Sequence, residues 1–297
     1  MKRAFIFCIL FFIVKPVIAC DVCGCVLSHN ILPSDTRTFI GVNYRISRFS
    51  GSHSEAANLP AEFFKESYQF MDFTVKYSLK NRWEFIAVLP MGQFTQNTEG
   101  VLSDKIKGLG DMNLTTRYAL INRTGLDNHR LSVGATIEFP TGKYNQISED
   151  KTLYHSRQTG SGATNFVFSL SYGFKRQTWG FQTVGSYKIN NENPLGYRRG
   201  NSLNGALDVF YKKKVFKNID VIPRLGIAGE TANRNQLNGI NYDLNTSRSF
   251  LLGNVAFDVY FSKTFISLSY QKPLSQTLET EQLANKGRMM ISVNYLF

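Results

Sequence analysis

The stretch Arg288-Met289-Met290-Ile291-Ser292-Val293-Asn294-Tyr295-Leu296-Phe297 alternates with a period of two residues. Met289, Ile291, Val293, Tyr295 and Phe297 share one side, and Arg288, Met290, Ser292 and Asn294 share the other. Successive side chains of an extended strand point to opposite faces, so the segment reads as a strand with one apolar and one polar face. Working back along the chain, the same period recurs. Leu131, Val133, Ala135, Ile137 and Phe139 oppose Ser132, Gly134, Thr136 and Glu138, and Met71, Phe73, Val75, Tyr77 and Leu79 oppose Asp72, Thr74, Lys76 and Ser78.

Counting such segments predicts twelve strands, from Phe39–Phe49 to Arg288–Phe297. Short connections such as Lys80-Asn81-Arg82 follow every even strand. Long ones, at 50–67, 92–107, 141–162, 190–201, 230–248 and 273–287, follow the odd strands and are rich in Gly, Asn, Ser and charge. An even strand number with short turns on one rim and long loops on the other is the pattern of a closed, antiparallel, up-and-down transmembrane β-barrel. Closure leaves no unpaired backbone group facing lipid.

The start of the chain names the compartment. Lys2 and Arg3 precede an apolar run, Ala4–Val14, that Lys15-Pro16 interrupts before Ala19, as in a secretory signal over 1–19. Eleven apolar residues are fewer than the roughly 20 a membrane helix needs. We therefore expect a periplasmic Cys-bearing segment at 20–36 and an outer-membrane barrel at 37–297. The formal charge of +12 invites a nucleic-acid reading. Without Lys2, Arg3 and Lys15, however, 31 basic face 22 acidic residues, and the surplus of nine is matched by the predicted short turns. Those turns and their flanks carry eleven cations, among them Lys175, Lys212, Lys214, Lys217 and Lys263, against the lone Asp127. Cations at strand ends can snorkel to anionic lipid headgroups, and no nucleic-acid recognition element accompanies them. Outward aromatics at the same rim (Tyr77, Trp83, Tyr118, Phe174, Trp179, Tyr211, Tyr295 and Phe297) would form an interfacial girdle.

A water-soluble β-sandwich would also alternate, but its inward face would be apolar. Here Gly, Ser, Asn and Thr dominate the face opposite the apolar row, as a wet lumen prefers, and twelve apolar rows would overfill a sandwich.

Gly108-Leu109-Gly110-Asp111 with Leu114 and Tyr118, Phe139-Pro140-Thr141-Gly142, and Gly160-Ser161-Gly162 carry a resemblance over most of 37–297. The chain resembles the outer-membrane family named for phenol meta-pathway degradation, in its subgroup with a Cys-rich N-terminus. That resemblance implies an outer-membrane barrel that transports small hydrophobic or aromatic compounds.

For the interior we expect Arg45, Asp72, Lys76, Asp111, Arg117, Glu138, Asp208 and Arg224 to line the lumen. Such mixed charge can filter a polar solute or, as ion pairs, fill and stiffen a narrow barrel. Cys20-Asp21-Val22-Cys23-Gly24-Cys25 leaves three readings open. Cys20 follows Val17-Ile18-Ala19 as a lipid acceptor would, Cys23 and Cys25 could hold a soft metal such as copper, or the thiols form a disulfide or a plain tail. Otherwise no cofactor is expected. The expected partners are outer-membrane lipid and a small solute, with no nucleic acid. A serine hydrolase needs a base beside its nucleophile. His29, His53, His129 and His155 are all read as lying off the strand walls, so an enzyme ranks below a channel or an anchoring barrel.

Overall fold

The computed structural model describes residues 36–53, 62–98, 101–147, 153–241, 248–278 and 284–297. The expected signal segment 1–19, and with it Cys20, Cys23 and Cys25, lies outside the described residues.

In chain order the strands are β1 (Phe39–His53), β2 (Glu62–Leu79), β3 (Trp83–Thr98), β4 (Val101–Leu109), β5 (Met112–Arg123), β6 (Asp127–Phe139), β7 (Asn165–Arg176), β8 (Trp179–Ile189), β9 (Tyr197–Arg198), β10 (Ser202–Tyr211), β11 (Lys213–Phe216), β12 (Ile219–Ala232), β13 (Gln236–Leu237), β14 (Ile240–Asn241), β15 (Arg248–Phe261), β16 (Thr264–Leu278) and β17 (Ala284–Leu296). Twelve of them form the wall, in the order β1-β2-β3-β5-β6-β7-β8-β10-β12-β15-β16-β17, every neighbour antiparallel. The β1–β17 ladder, running from Phe39↔Leu296 to Ser50↔Ala284, closes the ring. β4 extends the β3 hairpin beyond the wall, β11 pairs with the start of β12, and β9, β13 and β14 make a small sheet among the loops.

The predicted faces are the observed ones. Val42, Met71, Phe73, Val75, Leu170, Val209, Val255, Phe257 and Ile291 all point outward and are exposed, which in water would be a vast aggregation surface and in a bilayer is the lipid face. Asn43, Asp72, Thr74, Ser132, Ser171, Asp258, Ser267 and Ser292 point inward and are buried. The girdle is present too: Trp83 packs on Tyr118 (4.6 Å between centroids), Phe174 on Trp179 (5.5 Å) and Tyr295 on Phe297 (5.2 Å). The molecule is an outer-membrane β-barrel.

Three expectations need correction. The described parts of the segments 50–67, 92–107 and 273–287 are strand, because β1, β2, β3, β16 and β17 run on past the apolar band and β4 adds a further strand. Alternation there continues with polar residues, which the apolar count does not register. His129 lies on β6, which begins at Asp127, and His53 ends β1, so two histidines expected off the strands are on them. Finally, the inward face is not uniformly wet, because two apolar clusters are buried within it.

Candidate functional site

The lumen is built in layers. Nearest the short turns, Glu84 is fully buried and receives Lys76 Nζ at 3.0 Å, Arg117 Nη1 at 3.0 Å and Arg130 Nη2 at 3.1 Å. One carboxylate from β3 thus gathers cations from β2, β5 and β6. The remaining arc of that end, from β10 round to β1, is apolar: Phe39, Phe210, Ile222, Tyr260, Phe265 and Leu296 pack into one cluster. Lys76 lies 5.8 Å from the Phe39 ring and joins the two halves.

At mid-height the wall is polar. Arg45 donates to Asp72 (2.8 Å), and nearer the long loops Lys188 reaches Glu138 (2.7 Å). Arg224 grips Asp258 with two bonds (2.8 and 3.0 Å) and lies 3.7 Å from Asp208, while Ser267 donates to Asp258 (2.6 Å). Fork-on-carboxylate geometry is the strongest ion-pair form available to side chains. The cations are therefore committed to the wall rather than projecting freely.

Toward the long loops a second apolar group fills the barrel. Phe49, Tyr68, Phe70, Phe94 and Ile106 come from β1 to β4, and Ala228, Phe250 and Leu252 from β12 and β15. Those two sets stand on nearly opposite walls in the strand order, so their contact crosses the lumen. Cations frame this collar: Arg45 lies over Phe70 (4.5 Å), Arg157 over Phe94 (5.4 Å) and Arg288 over Phe250 (5.9 Å). Arg157 also pairs with the buried Glu66 (3.2 Å), and Arg288 with Glu230 across three strands.

Above the collar, the motifs singled out in the sequence meet. Asp111 accepts Gly142 N–H at 3.0 Å and, from Ser161, N–H at 2.7 Å and the hydroxyl at 2.5 Å. Thr141 donates to Gly110 O (3.0 Å), and Met112 N–H donates to Thr141 Oγ1 (2.9 Å). The Gly142 and Gly160 backbones cross so closely that a Cβ on Gly142 would stand 2.6 Å from the Gly160 Cα. This knot ties residues 140–147 to residues 153–164, whose 3-10 turn His155–Arg157 carries Arg157 over the collar and stacks His155 on Tyr197 (4.7 Å). Burial holds the His155 imidazole below the ordinary histidine value.

Of the eight residues expected to line the lumen, Arg45, Asp72, Lys76, Arg117, Glu138, Asp208 and Arg224 stand on the wall in these ion pairs. Asp111 precedes β5 and ties the loop instead. Sequence reading missed Glu66, Arg130 and Arg157. Glu66 was detectable, since Glu66, Tyr68 and Phe70 continue the inward row of Asp72, Thr74 and Lys76; Arg157 lies off any strand, where no periodicity could reveal it.

This geometry can be compared with known proteins. The family described as "Putative MetA-pathway of phenol degradation" matches residues 47–286, most of the chain. The chain belongs to this family. No curated protein matches it. Among solved structures it is similar to an outer membrane channel from Pseudomonas putida F1, with 18% identity and a TM-score of 0.64, covering 90% of the chain and all of the channel. The β domain of the Bordetella autotransporter BrkA matches at 12% identity and a TM-score of 0.49, covering 88% of the chain and all of that domain.

Proposed function

We propose that this family member is a narrow conduit through which a small, weakly polar solute crosses the outer membrane. The carrying observation is the apolar collar of Phe49, Tyr68, Phe70, Phe94, Phe250 and Leu252, whose members meet across the lumen. Apolar constrictions exclude water and ions by dewetting, whereas a hydrophobic solute loses little on entering one. The ion-paired belt below it supports the same reading, because Arg45 with Asp72, Lys76 with Glu84, and Arg224 with Asp208 and Asp258 neutralise one another within the wall. Family membership and the likeness to an outer membrane channel agree with passage of a solute.

Reconstitution tests the reading. Purified protein in planar bilayers should show little ion conductance, while liposomes should take up a neutral aromatic such as toluene or phenol faster than protein-free controls. Phe94→Ala should raise ion conductance, because it opens the collar. No flux of any solute through either protein would leave an anchoring barrel as the function.

A non-catalytic role fits the histidines. His129 Nδ1 lies 2.7 Å from the Tyr172 hydroxyl beside the aromatic girdle, and His155 stacks on Tyr197. Cys20 as a lipid acceptor, and Cys23 with Cys25 as a soft-metal pair, stand as separate proposals, which the intact mass of the mature N-terminus distinguishes.

A further inference from the structure

The short-turn mouth of the barrel contains a cavity of ≈ 630 Å³ that the conduit reading leaves unused. Arg37, Lys175, Lys212, Lys214, Lys217 and Lys263 line it, with Asp220 as the single acid. Lys212 is taken up by Asp220 at 2.7 Å. Among the described residues, no carboxylate stands within ion-pairing distance of Lys175, Lys214, Lys217 or Lys263. The inner wall of the same cavity is apolar, formed by Phe210, Ile222 and the Tyr260 ring, over which Arg37 lies at 4.8 Å.

Elsewhere on the inner wall, among the described residues, Arg45, Lys76, Arg117, Arg130, Lys188, Arg224 and Arg288 each stand beside a carboxylate, whereas here Lys175, Lys214, Lys217 and Lys263 do not. Like charges gathered in a concave site repel one another and destabilise the fold unless a counter-ion shares the space. An apolar wall behind them favours a counter-ion that is not a bare inorganic anion. The volume falls within the range of small-molecule sites, about 300–1,000 Å³.

We propose that this vestibule binds a small amphipathic organic anion, with its carboxylate or phosphate among Lys175, Lys214 and Lys263 and its apolar body against Phe210, Ile222 and Tyr260. The cations come from β7, from β11 and from the β15–β16 turn, so the site is assembled from segments far apart in sequence along one arc of the wall. Binding here does not depend on whether the collar passes anything, because the two lie toward opposite ends of the lumen.

Calorimetry on the full-length mature protein in lipid nanodiscs tests it, with 2-naphthoate and naphthyl phosphate as probes. 2-Naphthalenemethanol and inorganic phosphate serve as the neutral and the purely ionic comparison, and empty nanodiscs correct for partition into lipid. We expect either naphthyl anion to bind at least about tenfold more tightly than both comparison compounds, and to weaken as salt is raised, since exposed charge pairs are screened. The ratio between the two anions identifies the preferred head group. The variant Lys175→Gln/Lys214→Gln/Lys263→Gln should lose about tenfold or more of that affinity, for the loss of three charge-assisted contacts. Its unchanged heat-modifiable migration on gels would show that the barrel is intact. Equal binding of the neutral alcohol, equal binding of inorganic phosphate, or an unaltered affinity in the folded triple variant would each overturn the proposal.

Discussion

Replacing Glu84 by Gln removes the negative charge that three cations share, and the structure indicates what that should cost. Lys76, Arg117 and Arg130 each stand 3.0 to 3.1 Å from its carboxylate, and the Lys76, Arg130 and Glu84 side chains are almost completely buried. At an effective dielectric near 20, each contact contributes about 5 kcal/mol of gross Coulomb attraction. Desolvation and repulsion among the cations offset most of that sum, so the gross value is not the stability change. Breaking a buried pair by removing one partner costs about 3–5 kcal/mol, because the remaining charges stay buried without compensation. Glu84→Gln should destabilise the barrel by that amount. Equilibrium urea unfolding of protein folded into lipid vesicles reads it, by the fluorescence of Trp83 and Trp179, the chain's two tryptophans at the adjoining rim. Two controls bracket the result. Asp127→Asn, which breaks the exposed pair with Arg176 (3.5 Å), should cost no more than about 1 kcal/mol. Adding Lys76→Met to Glu84→Gln should recover part of the loss by removing a stranded cation. A loss for Glu84→Gln as small as that for Asp127→Asn would refute the claim that this cluster is dry and mutually compensated.

Asp111→Ala deletes the acceptor of three hydrogen bonds and should free Gly142 and Ser161 with the residues beside them, 140–147 and 153–164, read as faster protease cleavage there and as larger current fluctuations, with the barrel still heat-modifiable. Gly142→Ala should produce a similar loosening, since the new methyl group would overlap Gly160, and cleavage no faster than wild type would count against the crossing seen here. Docking of the same segment should weaken as pH falls below about 6.5, the ordinary histidine value, because a released imidazole takes up its proton before the buried one does. Above that pH docking is at full strength, and below it docking weakens until the docked ring itself titrates. Hydrogen exchange over 153–160 between pH 7.5 and 5 measures the effect, and His155→Phe, which keeps the stack on Tyr197, should abolish the pH dependence.

The barrel was legible because a lipid-facing wall imposes a period of two on every strand, and nothing in a soluble core demands so many apolar rows facing one way. Strand ends were less legible. Where β1 ends, β2 begins, β3 ends and β4 runs, the strands leave the apolar band and the outward face no longer has to be greasy, so the count that finds strands loses its signal.

The sequence alone thus determined which face of each strand meets lipid, the number of wall strands and the basic character of one rim, because each follows from local alternation or local composition. Only the tertiary structure decided which charges meet. Glu84 gathers partners from three strands, Asp111 binds Ser161 fifty residues away, and the collar joins Phe94 and Leu252 in one cluster, since each arrangement depends on the curved sheet bringing distant segments to one height. The layering of the interior, an apolar collar over a paired belt over a mouth rich in lysine, is a property of that closure, and no window of the chain contains it.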